Sequence, residues 1–365
     1  MSTSHHINDK PLPKRPKLDG PLIGTHSGTF HADEALAVYL LRLLPTYYTS
    51  PLVRSRDPSV LATCHTVVDV GGEYSADTKR YDHHQRSFVT TFPDHNTKLS
   101  SAGLVYMHYG KAVIARVTGL NEGSEEVEIL FQKLYDCFVE AVDANDNGVK
   151  RYDGGLLEKY GIKAEFDDRG FSLASVVSRY NYAQPKAKEE DSEEVKQGKE
   201  DERFERASNF MGEQFMMELQ DKFEAWLPAR TAVRKAYAER KKWDDSGRIM
   251  VFEDSHMPFA DHLYEVEREE VKGKGVSEEN AQVLYVLFPE TKNKDSKWRV
   301  RAVGVEGKDF TNRKDLPDTW KGVRDDELSK LSGIPRCVFV HANGFIGGNE
   351  TFDGALKMAQ KAVMM

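Results

Sequence analysis

Cysteine is scarce in this chain of 365 residues: Cys64, Cys137 and Cys337 are the only three. They stand far apart with no CxxC pair, which excludes a disulfide framework and a thiolate zinc site and fits a reducing compartment. Long apolar runs are missing too. The longest, "ALAVYLLRLL" at 35–44, has half of the roughly 20 residues a membrane helix needs and carries Arg42, so no membrane partner is expected. A basic surplus is also absent, since 51 Lys and Arg face 59 Asp and Glu for a net charge of −8. That excludes a protein coated in basic surface, but not a local basic groove for nucleic acid. No apolar signal segment opens the chain, and secretion is not expected. Residues 1–20 are polar and Pro-rich, a disordered leader in this reading, with "PKRPK" at 13–17 a short basic cluster of the nuclear-localisation kind.

What is present has the texture of an α/β protein with two domains. "PLIGTH" and "TVVDVGG" predict buried strands, and "DEALAVYLLRLLP" between them predicts a helix closed by Pro45. "TKRYDHH" predicts a further strand. Helices are expected at 100–117, where serines suit an N-cap, at 124–146 behind Ser124, and at 170–181. Residues 186–203 carry almost no apolar side chain and read as a charged linker or insertion, followed by connecting helices at 204–245. The expected organisation is thus a parallel-sheet domain at 21–185 with helices on both faces, and a smaller mixed α/β domain at 246–365 built from "RIMVFED", "QVLYVLFPE", "KWRVRAVGV", "RCVFVHANGFIGG" and a last helix.

The 12 histidines are not spread evenly. "GTHSGTFHADEA" places His26, His31 and Asp33 between the first strand and the first helix, where an open parallel sheet receives its ligands. Asp69 ends the next strand before Gly71 and Gly72, "YDHH" ends another with Asp82, His83 and His84, and Asp143 lies near the end of a helix. An imidazole and carboxylate set without thiolate suits Mn²⁺, Mg²⁺, Fe²⁺ or catalytic Zn²⁺. The set is too large for one ion. His26, His31 and Asp69 could hold one, and Asp33, His83 and Asp143 a second, with Asp69 shared, as in the two-metal clamps of phosphate hydrolysis.

These motifs resemble the DHH phosphoesterase superfamily. "GTHSGTFHADEALA", "DVGGEYSADTKRYDHHQRSF", "SSAGLVYMHYG", "VEAVDANDNG", "WRVRAVGV" and "FVHANGFIGG" together are similar to the melanocyte-proliferating-gene exonuclease family, from about residue 21 to the end. The resemblance implies a DHH-type catalytic domain and a 3′–5′ exoribonuclease that uses two Mn²⁺ or Mg²⁺ ions on single-stranded RNA in the nucleus or mitochondrion; the cytoplasm is an alternative address. Carried over by motif, the metal ligands are His26, His31, Asp33, Asp69, His83 and Asp143. Asp82 would support the ligand imidazole of His83 by orienting it, and His84 would face the scissile phosphate. The first motif departs from the superfamily in having His31 where an Asp is usual.

In the second domain, Arg301, His341, Gly347 and Gly348 are candidates for substrate contact, with Arg299 and Arg301 on one face of their strand. Phe252, Phe259, Tyr264 and Tyr285 are assigned to the core. Two rivals accompany the exonuclease expectation: a small-molecule phosphohydrolase acting on pyrophosphate or dinucleotides, and a non-catalytic, metal-stabilised RNA-processing scaffold.

Overall fold

The computed structural model describes residues 19–365; the basic cluster at 13–17 and all but the last two leader residues lie outside the described residues. The chain divides into two compact units, one ending at Glu224 and one formed by Ala225–Met365. No described helix is long and apolar enough to cross a membrane.

In the first unit the order is β1 (Ile23–Thr25), α1 (Ala32–Arg42), β2 (Leu52–Arg54), α2 (Pro58–Leu61), β3 (Thr66–Val68), β4 (Tyr74–Ser75), β5 (Arg80–Tyr81) and α3 (Ser101–Thr118). Then follow α4 (Glu125–Leu134), a π turn at Tyr135–Val139, α5 (Glu140–Asp146), α6 (Gly154–Lys159), α7 (Leu173–Tyr180) and α8 (Glu193–Asp221). The sheet runs β2-β1-β3-β5-β4, parallel except for the edge strand β4. Alternation along β3 sends Val67 to one face, with Leu61 and Cys64 from the α2 turn, and Val68 to the other. Helix α1 packs between α3 and α8 and is buried over nearly its whole circumference, which is why "ALAVYLL" is apolar on every side. Each such buried Leu or Val stabilises the fold by about 1.5–3 kcal/mol. The close approach of α8 needs Gly212, because a Cβ there would overlap the ring of Tyr39.

Helix α8 begins at Glu193, inside the charged stretch 186–203, with Ser192 as its N-cap and Glu193 and Glu194 in the first turn. Its first apolar residue in the core is Phe204, so the charged part is a solvated helix start.

The second unit contains α9 (Leu227–Ala238), β6 (Ile249–Val251), α10 (Ala260–Lys274), α11 (Glu278–Ala281), β7 (Tyr285–Pro289), β8 (Trp298–Ala302), α12 (Asp325–Ser332), β9 (Cys337–Val340), β10 (Ile346–Asn349) and α13 (Phe352–Met364). Its sheet is mixed, in the order β6-β7-β8-β10-β9. One face packs Ile249, Tyr285, Leu287 and Val300 with Met358 and Ala359 of α13. The other packs Met250, Val286 and Phe288 with Leu263 of α10 and Val233 of α9. Phe252, Phe259 and Tyr285 are buried and Tyr264 is partly so, the core role expected of them.

Candidate metal centre

Parallel strands deliver their C-terminal ends to one edge, and that edge carries the chemistry. His26 follows β1, Asp69 follows β3, and Asp82, His83 and His84 follow β5. The start of α1 adds His31, Asp33 and Glu34, and the end of α5 adds Asp146. Asp69 has φ 59°, a left-handed conformation that costs a non-glycine residue about 1–3 kcal/mol, and Gly71 and Gly72 continue the turn at positive φ. The turn sets the Asp69 amide on the Tyr81 carbonyl at 3.1 Å.

The side chains converge. His26 Nε2 is 3.0 Å from Glu34 Oε1 and 3.3 Å from Asp69 Oδ2, while His83 Nε2 is 3.2 Å from Asp69 Oδ1 and 3.1 Å from Asp146 Oδ2. Three overlapping groups offer ligand atoms within 4.8 Å of one another: His26, His31, Glu34 and Asp69; Asp69, His83 and His84; and His31, Asp33 and Asp146. Among the described residues, Asp33 Oδ1, Glu34 Oε2, Asp69 Oδ1 and both His83 ring nitrogens are buried without a hydrogen bond. The short His83 contacts therefore lack hydrogen-bond alignment. Buried polar atoms left unmatched cost free energy, and a divalent cation matches the carboxylate oxygens among them and the neutral imidazole's free nitrogen. The donor set of imidazole and carboxylate fits such an ion.

The electrostatics agree. Burial raises the Asp33 carboxyl well above the usual range, with the charges of Asp69, Asp146 and Glu34 pushing the same way. Burial works against the His26 and His83 imidazoliums, yet Asp69 and Glu34 raise His26 to about 10, and Asp146 and Asp69 raise His83 to about 9. Asp69 is buried as well, but both imidazoles hold its carboxyl below the usual range. Crowded carboxylates that retain protons on neighbouring imidazoles are what an ion-binding site looks like before the ion displaces them.

Two expectations need correction. Asp143 is not in the cluster: Ser100 N–H and O–H and Gly103 N–H donate to its Oδ1 at 2.9, 2.6 and 3.0 Å, and Tyr135 O–H donates to its Oδ2 at 3.0 Å. It caps the N-terminus of α3 from a neighbouring helix, which accounts for a carboxylate near the end of its own helix. The serines thus donate instead of capping: Ser101 O–H likewise holds Asp33 Oδ2 at 2.7 Å. Asp146, one helical turn after Asp143, is the carboxylate beside His83. Second, Asp82 orients His84, not His83, through its Oδ1 at 2.6 Å from His84 Nδ1, while Gly72 N–H donates to its Oδ2 at 2.6 Å. His84 is exposed on a cavity of about 410 Å³ shared with His26, His31, Asp69, Asp82 and Arg56. Glu34, Asp146 and Arg56 were missed by sequence reasoning. Glu34 passed for an ordinary first-turn acid, since its Oε1 also accepts the His31 amide at 2.8 Å as in a capping box.

The four candidates in the second unit have local partners. Arg301 faces His256 at 3.2 Å and His341 is exposed, its Nδ1 accepting the Asn343 amide at 3.1 Å. Gly347 and Gly348 are explained by packing: a Cβ at 347 would press on Leu316 and the Phe339 carbonyl, and one at 348 would overlap the Arg299 guanidinium.

An α/β unit with a buried imidazole–carboxylate cluster at the C-terminal edge of a parallel sheet defines a class of scaffold with a candidate metal centre. Within that class, the profile of a family described as "Uncharacterised protein family (UPF0160)" matches residues 22–363. The MYG1 protein of Schizosaccharomyces pombe is 45% identical over 343 residues, covering 93% of this chain and 97% of that one. The proteins named MYG1 exonuclease in Rattus norvegicus and Homo sapiens are 42% and 41% identical over 359 residues each, covering 95% and 96% of this chain and 87% and 88% of theirs. The chain belongs to the MYG1 exonuclease family.

Proposed function

We propose that this protein is a divalent-metal-dependent phosphodiesterase that removes nucleotides from single-stranded RNA in the 3′–5′ direction. The carrying observation is the set of buried, unmatched ligand atoms on Asp33, Glu34, Asp69 and His83. The relatives named exonuclease support the nuclease class; RNA and direction rest on the resemblance of the motifs. In this reading His26, His31 and Asp69, with Glu34, hold one Mn²⁺ or Mg²⁺, and Asp33, His83 and Asp146 hold a second, with Asp69 shared. Bound there, such ions supply Lewis-acid charge and an acidified water for attack on phosphorus.

The residues around that centre have their own tasks. The hydrogen bond to Asp82 raises the His84 imidazole above its ordinary value, against burial, so His84 remains a donor for a phosphate oxygen to higher pH. Arg56, whose Nη2 lies 3.2 Å from His26 Nδ1, brings a fixed positive charge to the cavity wall. A cavity of about 410 Å³ is also in the size range of small-molecule sites, which sustains the small-ester reading as a second one.

The test is incubation of the purified protein with Mn²⁺ and 5′-labelled single-stranded RNA, single-stranded DNA and dinucleotides, beside an Asp69→Ala, His83→Ala double variant. A ladder shortening from the 3′ end of RNA, lost in the variant, is expected. No metal-dependent cleavage of any substrate by the intact protein ends the enzymatic reading.

A further inference from the structure

The most unusual surface of the first unit is the stretch that follows Asp146. From Gly148 to Ser172 every residue but Leu157 is exposed, and α6 buries no residue at all. Yet the stretch is rich in rings: Tyr152, Tyr160, Phe166 and Phe171 are 59%, 68%, 77% and 93% exposed. Folded proteins rarely leave so many large apolar side chains in water without a ligand for them.

The stretch starts beside the metal cluster, and the helix α7 that follows it ends there. It leaves from Asp146, whose Oδ2 is 3.1 Å from His83 Nε2. It returns through Asn181, whose side chain accepts the Phe30 amide at 3.1 Å and donates to the Phe30 carbonyl at 2.9 Å, clamping the residue before His31. An arm that leaves from the cluster and is tied back to it through α7 is within reach of the rest of a chain-like substrate.

Cations alternate with the rings. Lys150, Arg151, Lys159, Lys163 and Arg169 lie between or beside them, with Arg151 over the Tyr152 ring and Lys159 over the Tyr160 ring, each 5.4 Å from the centroid. The stretch holds as many acids as cations, Asp153, Glu158, Glu165, Asp167 and Asp168, of which Asp153 caps α6 and Asp167 is paired with Arg169. Among the described residues, Lys150, Arg151, Lys159 and Lys163 form no ion pair with a carboxylate. Rings for stacking with cations for phosphates are the means by which single strands are held without sequence readout.

We propose that residues 149–171 form a binding arm for single-stranded nucleic acid, with Tyr152, Tyr160, Phe166 and Phe171 stacking on bases of the strand whose end enters the metal centre. This rests on the phosphodiesterase reading and makes the substrate a polymer instead of a dinucleotide. The test uses the full chain and two fourfold variants, one with the four rings changed to Ala and one with them changed to Leu. Binding is read by the fluorescence anisotropy of a labelled 20-nucleotide RNA in a chelator. Catalysis is read as the ratio of kcat/KM for that RNA to kcat/KM for bis(p-nitrophenyl) phosphate in Mn²⁺.

Both variants are expected to lose tenfold or more of RNA affinity, since one lost stack alone is worth about fivefold or more, and the polymer-to-small-ester ratio is expected to fall by a similar factor. RNA affinity within twofold of the parent in either variant overturns the arm. So does a change of sedimentation from dimer to monomer with RNA binding intact, which assigns the rings to a second copy of the chain. Arm-dependent RNA binding by a parent that hydrolyses neither substrate supports the arm while overturning the phosphodiesterase reading, so the two fail separately.

Discussion

Asp143 and Asp146 sit one helical turn apart in "DANDNG", and the structure gives them opposite duties that a pair of variants separates. Asp143→Ala leaves the Ser100 and Gly103 amides and the Ser100 and Tyr135 hydroxyls facing a buried gap. Each bond to a charged acceptor is worth about 1.5–3 kcal/mol; relaxation and a water molecule recover part, so the net loss is about 3–5 kcal/mol, as for other broken buried charge contacts. In a domain of this size that lowers the melting temperature of the metal-free protein by roughly 6–20 °C. Asp146→Ala removes a carboxylate whose charge destabilises the ionised Asp33 and stabilises the protonated His83, so its effects on metal-free stability offset one another. It should instead weaken Mn²⁺ binding by about tenfold or more, the scale of losing a metal-site partner. Thermal melts in a chelator and Mn²⁺ titrations by calorimetry, run on both variants, read the two effects. If Asp143→Ala melts with the parent while losing Mn²⁺, Asp143 is a ligand and the cap argument is wrong.

Further outcomes follow from the same geometry. Gly103→Ala would drive a Cβ into the Asp143 carboxylate and should destabilise the fold by about 2–4 kcal/mol, measured by urea unfolding; a midpoint equal to the parent's contradicts the close approach. Asp82→Asn should lower kcat and shift its pH profile through His84 while Mn²⁺ affinity stays near that of the parent; a large loss of affinity would place Asp82 on the metal. For pH, His26 and His83 bind protons at about 10 and about 9 in the fold against 6.5 unfolded, so their contribution to metal-free stability is complete below 6.5 and is lost as pH rises through those values. Metal-free melting temperature should therefore fall from pH 7 to 10 while Mn²⁺ affinity, which needs neutral imidazoles, increases; a metal-free melting temperature that climbs over that range refutes the assignment.

Strand ends and ligand types were legible because they obey local rules. Short strand-like runs ended by His or Asp mark the C-terminal edge of a parallel sheet, and His26, Asp69 and His83 stand at such ends. The mixed sheet of the second unit was legible from its apolar runs, whereas α10 went unread because "DHLYEVEREEVKGK" is so heavily charged. What failed was the choice between carboxylates with nearly equivalent local sequence. Asp143 and Asp146 share a helix face, and only the tertiary position of the α3 N-terminus decides which of them meets amides and which meets His83.

That decision has a sequence trace, in residues read for another purpose. "SSAG" at 100–103 looks like a helix start with two capping serines, but a self-capping helix needs one Ser and no Gly at 103. The surplus is explained when each serine donates outward, Ser101 to Asp33 and Ser100 to Asp143, and when Gly103 is bare so that the Asp143 carboxylate can lie against the backbone. One short motif thus holds a member of the candidate metal cluster with its first hydroxyl-bearing helical residue, Ser101, and anchors the helix that carries Asp146 through Ser100 and Gly103. Substituting Ser101 should disturb metal affinity through Asp33, whereas substituting Ser100 should disturb stability through Asp143, although the two are neighbours in the chain.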